Sequence, residues 1–159
     1  TTYSAGFYLP SDKVVRHYDV FDFEEAIEHA LISDDPHEQE VLFSHAIDIY
    51  KAPFLHTVKL PWVDARREQL QEMYAEALIG MARLKSNNSA WDEALGYYAR
   101  ALKEVPQRED IHRDAMQMYI NLGRPDDAKA QYKVLADHLK KTVGVPPSNE
   151  SQDLFNSID

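Results

Sequence analysis

Apolar positions recur at helical spacing along nearly the whole chain. From Asp19 onward, Phe23, Ala26, Ile27, Ala30 and Leu31 fall at i, i+3, i+4, i+7 and i+8, the pattern of one buried helix face. Asp19 is placed to cap this helix, and Asp34-Asp35-Pro36 stops it. A second helix is predicted from His37 to Lys51, with Val41, Leu42, His45, Ala46, Ile49 and Tyr50 turned inward. After the connector Lys51-Ala52-Pro53-Phe54-Leu55, Pro61 opens a long helix reaching Ser86, since a first-turn residue needs no amide hydrogen. Its buried stripe reads Trp62, Ala65, Leu70, Met73, Tyr74, Ala77, Leu78, Met81 and Leu84. Asn87-Asn88-Ser89 breaks it, and Ser89 is placed to cap a helix over Trp91–Val105. Pro106 ends that helix and Glu109–Leu122 forms the next, with Gly123 as its left-handed C-terminal residue. Asp126–Thr142 follows the turn at Arg124-Pro125, and Ser148 caps a last short helix reaching Ile158. Ahead of these helices, the aromatic run from Thr1 to Leu9 reads as a short strand ended by Pro10-Ser11-Asp12.

A repeat organises the second half. Ala94, Tyr98, Ala101 and Pro106 recur thirty-four residues later as Ala128, Tyr132, Leu135 and Lys140. Asp92-Glu93 and Asp126-Asp127 precede the two alanines. A thirty-four-residue period built from two helices is the signature of a tetratricopeptide hairpin. The expected fold is therefore all-α, a tetratricopeptide-like superhelix of about seven helices. The alanines let helices approach closely, and Tyr98 and Tyr132 are placed to fill the gap between neighbouring hairpins. Gly96 inside a helix costs roughly 1 kcal/mol against alanine, so a close packing partner is expected there. Ala46 and Tyr50 echo the motif and mark an earlier hairpin, although forty-eight residues separate Ala46 from Ala94. The connector and the start of the long helix take up the difference. Stacked hairpins of this kind present a curved surface to other proteins, which favours binding over catalysis.

Composition agrees with a soluble domain of this size, at 159 residues with 44% apolar and 28% charged. No stretch reaches the length of a membrane span, and no secretory signal pattern is present, so a cytoplasmic location is expected. The chain has no cysteine, which excludes disulfides and thiolate metal sites. It begins with threonine, and it reads as a piece of a longer protein. Charge is unevenly placed. Residues 1–50 hold eleven carboxylates against Lys13 and Arg16, a net charge of −9, while the rest of the chain is nearly balanced. Such a surface repels phosphate backbones, so direct nucleic-acid contact by this chain is not expected; the excess charge reads as a well-solvated helical face or, alternatively, as a seat for a basic protein neighbour.

Residues able to carry chemistry do not converge. None of the histidines stands in a zincin motif, and His29 and His45 read as core or boundary residues. Phosphate-binding glycine loops, a nucleophile elbow and a paired acid and base are all missing from the sequence, so neither enzyme activity nor a cofactor or metal is expected. The positive candidates belong to a groove. Counting back from Ala94 and Ala128 makes Ile79 equivalent to Arg113, and Arg83 equivalent to Gln117. Arg83, Arg113 and Gln117 are the expected binding residues, suited to an acidic or backbone-rich segment through charge-assisted hydrogen bonds.

The order of features resembles a known family. Asp19-Val20-x-x-Phe23 opens the first helix, and Ala46-x-x-x-Tyr50-x-x-Pro53-Phe54-Leu55 closes the second. Trp62-Val63-x-x-x-Arg67-x-x-Leu70, Pro106-x-x-Glu109-x-x-His112 and Tyr119-x-x-x-Gly123-Arg124-x-x-x-Ala128-x-x-x-Tyr132 follow. Leu139-x-x-x-Val143-Gly144-Val145-Pro146-Pro147-Ser148 completes the series. Residues 19–158 resemble the bacterial transcriptional activator domain, the tetratricopeptide-like module of Streptomyces antibiotic regulatory proteins. The chain departs from the family pattern in lacking glycine at Lys51-Ala52 and in the Asn87-Asn88-Ser89 loop. The resemblance implies a regulatory protein-interaction domain attached to a winged-helix DNA-binding domain. On that reading, residues 1–10, with Gly6-Phe7-Tyr8-Leu9, resemble the last strand of the preceding domain. Trp62 and Arg67 become structural or interdomain anchors. Implied partners are the winged helix itself, RNA polymerase, a sensor domain or a second copy. The alternative is a tetratricopeptide scaffold unrelated to transcription.

Overall fold

The computed structural model describes residues 18–158 and, ahead of them, the strand backbone of Thr2–Ser4 and Phe7–Leu9. The aromatic run predicted as one strand is two, β1 (Thr2–Ser4) and β2 (Phe7–Leu9), paired antiparallel with Thr2 opposite Leu9. Gly6 and the Pro10-Ser11-Asp12 break lie outside the described residues. Seven helices follow among the described residues: α1 (Asp19–Ile32), α2 (Pro36–Ile49), α3 (Pro61–Asn87), α4 (Trp91–Glu104), α5 (Glu109–Asn121), α6 (Pro125–Thr142) and α7 (Asn149–Asn156).

The helix boundaries follow local chemistry, with two corrections. Asp35, expected to stop α1, starts α2: its carboxylate accepts the His37 amide at 3.0 Å, and Pro36 fills the first turn. Tyr18, not Asp19, is the N-cap of α1, and Asp19 lies in the first turn, where a carboxylate favours the positive end of the helix dipole. Ala90, not Ser89, precedes α4, and Ser89 instead turns the chain at φ +59°. A non-glycine residue thus adopts a left-handed backbone in the Asn87-Asn88-Ser89 loop. Gly123 at φ +68° closes α5 as expected, and Ser148 caps α7 by accepting the Ser151 amide.

Consecutive helices pack as hairpins, α1 with α2, α3 with α4 and α5 with α6, and α7 lies across α5 and α6. The repeated positions form the joints. Ala46, Ala94, Ala101 and Ala128 have no exposed surface. Tyr98 is buried and donates to Asp114 Oδ2 at 3.2 Å, joining α4 to α5. Tyr132 stacks on Phe155 of α7 with ring centres 4.3 Å apart. His112 is buried. Its Nε2 faces the Pro106 carbonyl at 3.1 Å, so that nitrogen carries the proton and Nδ1 accepts from Gln131 Nε2 at 2.7 Å. Burial holds its pKa below the ordinary histidine value and keeps the ring neutral.

Helix phase differs from expectation in three places. In α2, Phe43 is buried while Val41 and His45 are exposed. The Phe43 ring lies against Gly80, where a β-carbon would collide with it, so α2 and α3 meet face to ring. In the first turn of α3, Val63 is buried while Trp62 and Ala65 face outward. In α1, Leu31 and His29 are exposed. Gly96, expected to sit under a packing partner, has open space where its β-carbon would be.

Candidate interaction surface

A groove runs between α1 and α3. At one end stand Tyr18, Phe21 and Trp62, exposed by 60%, 62% and 61%, with Phe54 of the connector behind them. Three large aromatic side chains left this open on adjoining surface form an exposed apolar patch. Arg66 bridges the groove to Glu24 at 2.6 Å and donates to Gln69 at 2.8 Å. Beyond that bridge, Glu28 and Leu31 of α1 face Glu72, Met73 and Glu76 of α3. Glu76 is held by Arg108 at 2.6 Å, whose guanidinium also grips both Asp110 oxygens and draws that carboxyl below its usual pKa range. Glu28 and Glu72 are exposed and carry no ion pair among the described residues. The groove is apolar at its aromatic end and acidic at the other.

The connector beside the aromatic end is fixed by one side chain. Arg67 donates to the carbonyls of Phe54 at 2.9 Å, Leu55 at 3.0 Å and Val58 at 3.1 Å, and pairs with Asp64 at 2.6 Å. It is half-buried, so these charge-assisted bonds are each stronger than neutral ones. Arg67 is therefore a structural anchor in its own domain. Trp62 has no such tie.

The predicted binding residues lie elsewhere. Arg83 of α3 is more than half exposed and stands 3.7 Å from Asp114. Arg113 is committed to α7, donating to Ser151 Oγ at 3.1 Å and pairing with Glu150 at 3.0 Å. Gln117 is exposed and donates to Asn121 of its own helix at 3.2 Å. Ile79, counted as groove-facing, is fully buried, because the middle of α3 is enclosed by α2 and α4. None of these three polar residues lines the α1/α3 groove.

Sequence reasoning missed two features here. Tyr18 and Phe21 fall off the apolar stripe of α1, a signal that was readable. The clamp on α7 had none: Glu109 looks like an ordinary helix-start acid but accepts from Ser148 N at 2.9 Å, Ser148 Oγ at 2.8 Å and Ser151 Oγ at 2.7 Å. Burial alone would raise its pKa, and these hydrogen bonds, with Arg113 nearby, outweigh it and hold the carboxyl below its ordinary value.

A family model described as the bacterial transcriptional activator domain matches residues 18–159, most of the chain. The chain belongs to this family. The match starts at Tyr18, the residue that opens α1 and the aromatic end of the groove. No curated protein and no solved structure matches the chain. The bacterial transcriptional activator domain is a regulatory module and not an enzyme family. No group of metal-ligating side chains occurs among the described residues, and none of their helices is long and apolar enough to cross a membrane.

Proposed function

We propose that this bacterial transcriptional activator domain works by protein–protein contact, in the cytoplasm, modulating a DNA-binding domain attached ahead of α1. The observation that carries the reading is the exposed trio of Tyr18 and Phe21 at the start of α1 and Trp62 at the start of α3. The preceding chain arrives there, so a domain attached through it is held at high local concentration over those rings. The acidic first third gives a basic winged helix a complementary neighbour. The hairpin of β1 and β2 is compatible with the closing strands of that domain. Residues 1–10 are assigned to it on the family resemblance, and residues 19–158 form the activator domain. Trp62 then serves as the interdomain anchor, with Arg67 keeping the connector behind it in place. A change in packing at this surface would alter how the attached domain engages DNA.

Trp62 itself reports on the contact. In a protein extended through the upstream domain, with Trp91→Phe removing the second tryptophan, Trp62 emission should lie at shorter wavelength than in this chain. Phe21→Ala with Trp62→Ala should alter DNA affinity in the longer protein. Unshifted emission together with unaltered DNA binding overturns the proposal and leaves a scaffold unrelated to transcription.

A second contact is proposed at Arg83 and Gln117 for an acidic or backbone-rich segment of RNA polymerase, a sensor domain or a second copy. The long 3.7 Å approach of Arg83 to Asp114 leaves guanidinium donors open to such a segment. Arg113 would act there indirectly, by seating α7.

A further inference from the structure

The acidic end of the α1/α3 groove is a hollow of about 360 Å³ that reaches the start of α5. Leu31 of α1 and Met73 of α3 form its apolar walls, over Ile27 and Val105. Leu31 is 59% exposed, and Glu28 and Glu72 stand exposed beside it without an ion pair among the described residues. Three carboxylates, Glu28, Glu72 and Glu76, against the one guanidinium of Arg108 leave the lining at a net charge of −2.

The opposite composition occurs where α6 ends. Lys140 and Lys141 are exposed and carry no ion pair among the described residues. Val143 and Val145 follow them, 62% and 45% exposed. The helix dipole accounts for lysines in a last turn, but not for two valines left open next to them. This segment is tied down at both ends. The amides of Val143 and Gly144 both donate to the Leu139 carbonyl at 2.9 Å, and the Ser148 amide donates to Glu109 at 2.9 Å. A segment ordered in this way has little freedom left to lose on binding. Its far end also adjoins the hollow, because Gln107 and Arg108 line both the hollow and a shallow pocket bordered by Ser148.

We propose that a second copy of this chain fills the hollow. Its Val143 and Val145 lie against Leu31 and Met73, and its Lys140 and Lys141 meet Glu28 and Glu72. Because hollow and segment adjoin within one chain, a two-fold axis lets each copy give its segment to the other, so the contact is made twice. Each chain carries a net charge of −10, and the pairing of unlike patches is what overcomes the mutual repulsion. The contact makes no use of Tyr18, Phe21 or Trp62, and it does not rest on the proposed docking of an upstream domain.

Sedimentation velocity on this chain tests the pairing from about 10 to about 500 µM, a range suited to contacts below the standard interface size. The weight-average mass should climb from 18.3 kDa toward twice that value. It should fall back at about 0.5 M salt, which screens exposed charges. Glu28→Lys with Glu72→Lys should leave a monomer, as should Lys140→Glu with Lys141→Glu, each with unaltered helical circular dichroism. Mixed in equal amounts, the two variants should pair about tenfold more tightly than either does alone, since native hollow meets native segment and the reversed patches also match. Val143→Ser, which leaves every charge in place, should weaken pairing about fivefold through lost apolar contact. Trp62→Ala should change nothing. A chain that stays monomeric throughout, or reversed variants that do not pair on mixing, overturns the proposal. An affinity unaltered by Val143→Ser overturns the role of the segment. Self-association that survives both reversals and is lost with Trp62→Ala belongs to the aromatic patch instead. If the chain is monomeric but Glu28→Lys with Glu72→Lys alters DNA affinity in the longer protein, the attached domain fills the hollow and the second copy does not.

Discussion

At the C-terminal end of the fold, Glu109 gathers the Ser148 amide and the hydroxyls of Ser148 and Ser151 and seats α7 across α5 and α6. At the start of α3, Arg67 gathers three connector carbonyls in the mirror-image way, yet leaves Tyr18, Phe21 and Trp62 open beside them. One end is finished by a helix that covers the last hairpin and buries Ile158, as terminal units of helical stacks are. The other is ordered but uncovered. The same device, one charged side chain collecting polar groups of a loop, closes the fold at one end and presents a surface at the other. Order without cover is what a docking face needs, because little conformational freedom remains to be lost on binding.

The largest effect that would break this comparison comes from Arg67→Ala. Three carbonyls lose a charged donor, which should destabilise the chain by about 2–3 kcal/mol. Denaturant unfolding should show the loss, and hydrogen exchange should place the loosening in residues 51–60. If exchange rises evenly over all helices, Arg67 is not the local clamp described. Next, Glu109→Ala should cost about 1–2 kcal/mol by releasing α7. Because the folded pKa of Glu109 is depressed, its contribution is full above the unfolded carboxylate value of about 4.3 and fades as pH falls through the lower folded value. Protection of α7 amides, taken relative to the intrinsic exchange rate at each pH, should therefore fall on acidification below about pH 4, while the Arg67 clamp on neutral carbonyls shows no such window. Equal acid sensitivity at both clamps would erase the distinction. Arg113→Ala should be milder, on the order of 0.5–1 kcal/mol, since the Glu150 partner is largely exposed. A sharp fall in melting temperature with partner binding intact would remove Arg113 from any binding role. The smallest effect on stability belongs to Trp62→Ala, within about 0.5 kcal/mol, because an exposed side chain has little burial to lose. A larger loss would mean that Trp62 is core and that the open end is not open.

Much of this was legible in the chain. Seven helices fall where periodicity, prolines and glycines put them, because those signals act over one or two turns. The Ala94/Tyr98 repeat correctly gave stacked hairpins, since only small residues allow helices to lie so close. Helix phase was less legible. Val41, Leu42 and Phe43 are consecutive and apolar, so several faces of α2 could have been buried. The hollow at Gly80, thirty-seven residues downstream of Phe43, selects Phe43. Trp62 and Ala65 were assigned to the stripe of α3 because tryptophan usually seeks burial, but Val63 holds the buried position. Ile79 was misplaced for a related reason. Equivalence of repeat positions assumes equal neighbours, and Ile79 and Arg113 have different ones: α2 and α4 enclose the first, while α7 engages the second.

The sequence by itself determined the helices, the cap at Ser148, the hairpin repeat and the uneven charge, all of which depend on residues near one another along the chain. Tertiary structure alone decided which aromatic rings stay open, where Arg67 and Glu109 spend their hydrogen bonds, and that the Tyr50 hydroxyl is buried without a partner among the described residues. Those outcomes depend on which distant helix arrives opposite a side chain, and local spacing carries no record of that.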